Sequence, residues 1–486
     1  MCTGWNSRSA SLMVSLMVVF SLVTPVFAQG GKGVAPIDPA VLAEFDARGE
    51  ATFWVLFREQ ADLSPAFAIR DWNQRGRFVY ERLVATAESS QARVRALLGA
   101  TGAETRPFWI VNLIQVRTDN SALPSFLAAQ PEVAEIIAPP EVRPIEVVPG
   151  MEWPPTESVE WNIEQIRAPL VWSTYGVRGE GIVIGSVDSG VQYDHPALVE
   201  HYRGSLGGGV FDHNYNWYDP TFACGNPSIE PCDPDGHGTM TTGVAVGDDG
   251  GANQIGVAPG ARFIMAAWNA TLLAMQWMLA PTDLNGQNPR PDLRPQVVNN
   301  SWGDTYLPPL FRDAVQAWLA SGLFPVFGIG NSGPACQTTL VPGAYPESYA
   351  GGAHDVEGNI WASSSRGPSP LGPIKPNVTT PGVDIRTSYP LSAYVTMSGT
   401  SFSSAHVTGT VALMLSLNPE LVGNTEAIRR HLDYSAIDSS DLSCGGDPWN
   451  NNVWGEGRLD AFDAVSLLLI DGFESGDTSA WSATVP

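Results

Sequence analysis

Four apolar runs in the second half of the chain constrain the fold more than anything else in it. They are Gly181-Ile-Val-Ile-Gly-Ser-Val187, Phe263-Ile-Met-Ala-Ala-Trp268, Gln296-Val-Val-Asn-Asn-Ser301 and Phe324-Pro-Val-Phe-Gly-Ile329. A run with no polar alternation suits a strand buried on both faces. Helix-forming stretches separate the runs, at Thr271–Leu279, Leu310–Ser321 and Ser401–Leu417. Strands alternating with helices predict an α/β unit with a parallel sheet. Sheets of this kind carry their sites at the carboxyl ends of the strands.

The text after those strands is therefore where chemistry is to be sought. The first run ends in Val187-Asp188-Ser189-Gly190, which puts a carboxylate at a strand end. Asp235-Gly-His-Gly-Thr-Met-Thr-Thr-Gly243 surrounds His237 with glycine, leaving an imidazole uncrowded. Histidine titrates near neutrality and is the natural general base. Phe327-Gly-Ile-Gly-Asn-Ser-Gly-Pro334 offers the side-chain N–H of Asn331 to a developing oxyanion. Thr396-Met-Ser-Gly-Thr-Ser-Phe-Ser-Ser-Ala-His-Val-Thr-Gly-Thr410 runs from a small-residue turn into an apolar helix. That places Ser401 at a helix N-terminus, where free backbone N–H groups favour negative charge. A serine there is a candidate nucleophile once a base, an orienter and an oxyanion donor exist elsewhere.

Together these motifs resemble the subtilisin-like serine proteases, in their wording and in the chain order Asp188, His237, Ser401. Further family-like text is Val298-Asn-Asn-Ser-Trp-Gly303, Lys375-Pro-Asn-Val-Thr-Thr-Pro-Gly382 and Trp454-Gly-Glu-Gly-Arg-Leu-Asp460, and the likeness covers about residues 158–468. The resemblance implies an endopeptidase with Ser401 as nucleophile, His237 as base, Asp188 as orienter and Asn331 in the oxyanion hole. It implies that Ser301, Trp302, Gly303 and Gly330 bind extended substrate, with Trp302 and Ile329 beside the pocket. An esterase elbow, Gly-x-Ser-x-Gly, is absent, since position 403 is serine. Three positions depart from the family: Met240 for a second His, Phe402 for Met and Ala405 for Pro. These put packing and specificity in question. His406 is expected to be structural.

The first half reads differently. Ala51–Phe57 predicts a strand, 70–98 a helix, Phe108–Val116 a strand, Ala122–Ala129 a helix and Val133–Ala138 a strand. That order is an α+β module of ferredoxin-like type. Residues 29–45 read as a loose leader, and Pro139 to Pro155 as an exposed linker. By resemblance, 29–150, with a core at about 46–140, corresponds to a subtilisin prosegment that assists folding and caps the cleft. The peptidase unit would span 151–470.

Residues 1–28 carry an export signal, with Arg8, an apolar stretch Leu12–Val23 and Val26-Phe27-Ala28 before a cut. The chain is then expected outside the cell. Cys2 leaves with the signal, and Cys224, Cys232, Cys336 and Cys444 remain. Three pairings are open; the short loop favours Cys224–Cys232, and Cys336–Cys444 follows. Net charge is −24. Residues 1–149 hold 13 Lys+Arg and 15 Asp+Glu, and residues 150–486 hold 13 and 35. So acidic a body excludes nucleic acid and anionic membrane surfaces as partners. Protein substrates and the chain's own prosegment, in cis or in trans, are the expected partners of a monomer with no membrane span. Arg70, Arg75, Arg77, Arg82, Arg93 and Arg95 on the prosegment helix are expected to draw it to the acidic unit by charge. No cofactor is needed for the chemistry. A structural calcium ion is compatible with Asp233 and Asp235, or Asp248 and Asp249, without a readable ligand set. Residues 471–486 form a polar tail that reads either as a sorting or cell-surface element or as a disordered end.

Overall fold

A computed structural model of the chain describes residues 33–151 and 159–467. The expected export signal, residues 29–32, residues 152–158 of the linker and the tail from 471 lie outside the described residues.

The N-terminal unit contains α1 (Pro39–Arg48), β1 (Ala51–Phe57), α2 (Trp72–Gly99), β2 (Glu104–Phe108), β3 (Leu113–Thr118), α3 (Leu123–Ala128) and β4 (Val133–Ile137). Its strands are antiparallel in the order β2-β3-β1-β4. The ferredoxin-like expectation holds, with one strand more than the sequence indicated. The stretch Phe108–Val116 is not a single strand but a turn at 109–112 between two strands. The turn is apolar, so no Gly or Pro betrays it, and its polar groups are met from elsewhere. Trp109 N and Ile110 N donate to Gln276 Oε1 of the second unit at 2.8 and 3.2 Å. Asn112 Nδ2 donates to Ser90 Oγ at 2.6 Å and to Glu59 O at 2.7 Å. The leader is also more ordered than expected. Pro39 opens α1, Asp38 caps it by accepting from Ala40 N at 2.9 Å, and Val41 and Phe45 are buried.

Two short strands follow, β5 (Arg143–Pro144) and β6 (Val148–Pro149). The C-terminal unit then runs α4 (Trp161–Gln165), α5 (Ala168–Tyr175), β7 (Val183–Asp188), β8 (Trp217–Tyr218), α6 (His237–Val246), β9 (Arg262–Ala267), α7 (Thr271–Leu279), β10 (Val297–Asn300), β11 (Trp302–Gly303), α8 (Leu310–Ser321), β12 (Phe324–Gly328), β13 (Tyr349–His354), β14 (Val378–Pro381), β15 (Ile385–Tyr389), β16 (Ala393–Ser398), α9 (Thr400–Leu417), α10 (Thr425–Ser435) and α11 (Ala461–Ser466). Seven strands form a parallel sheet in the order β14-β13-β12-β10-β7-β9-β8. The four predicted strands are its centre. Strand β13, Tyr-Ala-Gly-Gly-Ala-His, escaped prediction because it lacks β-branched residues. Its glycines serve a close approach: a Cβ on Gly351 would lie 3.1 Å from the Ser403 backbone in α9. Among the described residues no helix is long and apolar enough to cross a membrane.

Helices cover both faces of the sheet. Under one, α5, α6, α9, α10 and α11 share a core that includes Met240, Phe402 and Ala405. The three family departures are thus core residues, fully or nearly buried. On the other face, α7 and α8 pack against the N-terminal unit, so that Trp54, Phe108, Ile110 and Leu113 join one cluster with Leu272, Leu273 and Phe311. Both disulfides form as favoured, Cys224–Cys232 and Cys336–Cys444.

The charge attraction expected between the units does not take the form of direct ion pairs, although the pKa of Asp292 in the second unit, lowered first by its hydrogen bond from Arg290, is lowered further by the Arg77 charge. No ion pair among the described residues joins an arginine of the N-terminal unit to a carboxylate of the C-terminal unit. Arg93 instead pairs with Glu132 of its own unit at 3.1 Å. What holds the two units is apolar burial, together with hydrogen bonds to backbone carbonyls and to the Gln276 side chain.

Candidate active site

Asp188 ends the central strand β7, His237 opens α6, and Ser401 is the second residue of α9. The fold brings these three together at the carboxyl edge of the sheet. His237 Nε2 lies 3.0 Å from Ser401 Oγ, and His237 Nδ1 lies 2.7 Å from Asp188 Oδ1. Asp188 is fully buried, and its other bonds hold it still: Ser189 N donates to Oδ1 at 2.7 Å and Thr241 Oγ1 to Oδ2 at 3.0 Å. Its acceptance at Nδ1 places that proton on His237 and leaves Nε2 free to accept from Ser401. Burial disfavours the charged imidazole. The facing Asp188 charge and its hydrogen bond, with Asp235 and Asp233 behind, outweigh this and hold the pKa of His237 above the ordinary value.

Asn331 follows β12. Its Oδ1 accepts from Thr400 N at 3.0 Å and Thr400 Oγ1 at 2.9 Å, which fixes the amide so that Nδ2 faces the cleft. There Nδ2 donates to Glu146 O at 2.6 Å.

The cleft is filled by the chain itself. Part of the expected exposed linker, residues 143–149, lies along it: β5 pairs antiparallel with β11, Arg143 opposite Gly303 and Pro144 opposite Trp302. Ile145 N donates to Ser301 O at 3.0 Å. Beyond the site, β6 pairs with β16, Val148 opposite Ser398. Between them Ile145 is buried, and its carbonyl oxygen lies 3.3 Å from Ser401 Oγ. Proline spacing made this stretch read as a linker; within it β5, Ile145 N and β6 find backbone partners across the cleft, while the side chains of β5 and β6 stay exposed.

Ser301, Trp302 and Gly303 thus stand where extended peptide binds, through their backbones. Gly330 does not. Its N–H donates to Thr400 Oγ1, and a Cβ there would meet Leu340 and Ser365. Glycines that do face the peptide are Gly328, whose added Cβ would come within 2.8 Å of Ile145 Cδ1, and Gly399, whose added Cβ would come within 2.8 Å of Val147 Cγ1. The Trp302 ring turns away to pack on Phe311 and Phe327, and Ile329 is fully buried. His406 is structural: Nδ1 lies 2.8 Å from Phe402 O, Nε2 2.9 Å from Asn162 Nδ2, and burial pushes its pKa down to about 4.

Sequence reasoning missed Thr241, Thr400, Trp268, whose ring lies 5.4 Å from that of His237, and above all Asp233. Asp233 was read as a possible calcium ligand. Its Oδ1 accepts from Ser189 Oγ at 2.7 Å and Gly236 N at 2.8 Å. Its Oδ2 accepts from Thr239 N at 2.8 Å and Thr239 Oγ1 at 2.6 Å. It therefore ties the Asp188 strand end to the His237 helix. With both oxygens so engaged it does not fit a cation. Asp249 is likewise engaged by Gly251, Asn253 and its amide, and Asp248 by Arg178. Among the described residues no cluster of three or more His, Cys, Asp or Glu is arranged to hold a metal. The useful signal for Asp233 was its place four residues before His237, at the start of a helix.

Comparison with known proteins agrees with this geometry. The model of the subtilase family matches residues 179–457. Bacillopeptidase F of Bacillus subtilis is 33% identical over 95% of this chain, which spans only 36% of that protein's length. Subtilisin Savinase of Lederbergia lenta is 27% identical over 63% of the chain and 98% of its own. Subtilisin-like protease PopC of Myxococcus xanthus is 30% identical over 58% of the chain and 59% of its own. With the family model matched across more than half of the chain, and its motif residues gathered at one sheet edge, the chain belongs to the subtilase family of subtilisin-like serine proteases.

Proposed function

We propose that the chain is an exported serine endopeptidase made as a zymogen, and that its own residues 143–149 are its first substrate. Asp188, His237 and Ser401 are the catalytic triad, and residues 29–150 are the prosegment. The observation that carries the reading is the carbonyl of Ile145, held 3.3 Å from Ser401 Oγ while that oxygen lies 3.0 Å from His237 Nε2.

The steps follow from these distances. Ser401 Oγ attacks the Ile145 carbonyl carbon and passes its proton to His237 Nε2. Asp188 holds the imidazole tautomer and stabilises the imidazolium. The C–N bond to Glu146 breaks, and His237 gives the proton to the departing amine. A water, deprotonated by His237, then releases Ile145 from Ser401. The negative oxygen formed on the way is served by Asn331 Nδ2 and by the N–H groups at the start of α9.

The pocket holding Ile145 is floored by Gly328, which favours an aliphatic residue before the scissile bond. One observation favours a neighbouring cut. Asn331 donates to Glu146 O, and Val148 pairs with Ser398 as though the primed side were registered one residue on. Mass measurement of the purified full chain over time decides between Ile145–Glu146 and Glu146–Val147. Ser401→Ala is expected to stay whole and to leave casein undigested. Equal cutting by wild type and Ser401→Ala would remove the assignment.

A further inference from the structure

We propose that the prosegment has a second anchor outside the cleft, an arginine latch at the C-terminus of α8, which sets how long the cut prosegment stays bound. This rests on the zymogen reading above. The latch is made by Arg75, in the first turn of α2. Its Nε donates to Ala320 O at 2.6 Å, Nη2 to Leu319 O at 2.7 Å and Nη1 to Gly423 O at 2.8 Å. The last carbonyls of a helix lack partners within it and carry the negative end of its dipole, so a cation is the fitting cap. Gly322, with φ 92°, turns the chain away; its N–H donates to Leu319 O at 3.0 Å, and Arg75 takes the second lone pair of that oxygen along with Ala320 O.

A second guanidinium completes the contact from the other side. Arg294 of the peptidase unit is 1% exposed and lies over the Trp72 ring, 3.5 Å from its centroid. Its Nη2 donates to Trp72 O at 2.6 Å and to Ser321 O at 2.9 Å. A Cβ on Gly76 would collide with Arg294 Nη1, so only glycine at that turn of α2 admits the approach. Prosegment and peptidase units thus each place an arginine at one helix end, with Trp72 stacked on the second. None of these hydrogen bonds uses the cleft, and all would persist after the 145–147 region is cut. The surface bared on release is a cradle of three carbonyls, Leu319, Ala320 and Gly423, beside a buried cation. Its chemistry fits one partner, a helix whose first turn carries an arginine after an aromatic residue.

The test uses the full chain in two backgrounds. In Ser401→Ala, which does not cut itself, amide hydrogen exchange is compared with and without Arg75→Met, Arg75→Lys and Trp72→Leu. Arg75→Met is expected to speed exchange of prosegment amides in β1, β3 and β4 at least about tenfold, since each hydrogen bond to a charged group contributes more than a neutral one. Lys, which keeps the charge without the fork, falls between. Exchange in β7, β10 and β12 is the internal control that the peptidase unit remains folded. In the active background, the lag between the cut and the rise of peptide hydrolysis is expected to shorten at least about tenfold with Arg75→Met, while the rate of the cut stays within twofold. Unchanged prosegment exchange, or an unchanged lag, overturns the latch. A wild-type chain that is never cut would instead overturn the zymogen reading, and the exchange comparison would still decide the latch.

Discussion

Asp233→Asn isolates a single carboxylate that touches no reacting atom, yet ties the strand end at Asp188 to the start of the His237 helix. An amide keeps the shape but replaces one acceptor oxygen with NH2. Whichever way it turns, one backbone N–H and one hydroxyl lose their acceptor: either Gly236 N with Ser189 Oγ, or Thr239 N with Thr239 Oγ1. The hydroxyls cannot simply rotate. Ser189 Oγ already accepts from Gly238 N at 2.8 Å, and Thr239 Oγ1 from Gln192 N at 2.9 Å, so their protons are committed to Asp233. A stranded buried N–H costs roughly 1–3 kcal/mol and the hydroxyl roughly 1, so about 2–4 kcal/mol of stability should be lost. Function should suffer as well, because Gly236 and Gly238 flank His237 and both are held through this carboxylate. A small displacement of a catalytic group is enough to cost about 10²-fold in rate. Thermal unfolding of the full chain in the Ser401→Ala background reads the first effect, as a midpoint lower by several degrees. The rate of cutting at 145–147 in the active background reads the second, with little change in the KM for a short peptide. A melting midpoint and a rate both matching wild type would refute the reasoning.

Asp188→Asn should lower kcat about 10⁴-fold by losing the tautomer control of His237. Because Asp188 is what raises the His237 pKa against burial, the acid limb of the residual pH–rate profile should move to lower pH. Asn331→Leu should cost about 10²–10³ in kcat, a magnitude known from the subtilisins themselves rather than worked from this structure. Gly328→Ala brings a Cβ to 2.8 Å from Ile145 Cδ1 and 3.2 Å from Thr400 O, where the backbone cannot give. A peptide library should then show the preference before the scissile bond shift from Ile towards Ala by at least about tenfold; retained preference for Ile would show that this pocket does not hold the residue. Burial first, then the Asp433, Asp447 and Asp438 charges, raise Glu456 to about 7. Its folded pKa lies above the unfolded 4.5, so its cost to stability appears as pH rises from about 4.5 through 7. Glu456→Gln in the Ser401→Ala background should therefore melt higher than its parent at pH 8 and level with it at pH 4.

What was legible in the chain followed from local rules. Val183–Asp188, Arg262–Ala267, Val297–Asn300 and Phe324–Gly328 announce buried strands because a strand covered on both faces must be apolar throughout. Asp188, His237, Asn331 and Ser401 announce a site because each ends or starts an element in small-residue text. What stayed hidden depends on groups far apart in the chain. The turn at 109–112 exists because Gln276, over 160 residues later, supplies the acceptor its amides need. Asp233 looks like any loop acid until the fold puts Ser189 and Thr239 on either side of it. Arg75 looks like one of six solvated arginines on a helix, although it is the one buried against Leu319, Ala320 and Gly423.

The residues of the chemistry were therefore set by composition and order along the chain, since a nucleophile, a base and an orienter are recognisable by type. Their occupancy was not. Whether residues 143–149 hang free or lie along the cleft depends on the unpaired edge of Trp302-Gly303 and on the space over Gly328, and both arise only when the sheet is assembled. A proline-rich run carries no periodic signal of its own, so its conformation is dictated by whichever surface offers its backbone partners. Here that surface is the cleft, with Ile145 at Ser401.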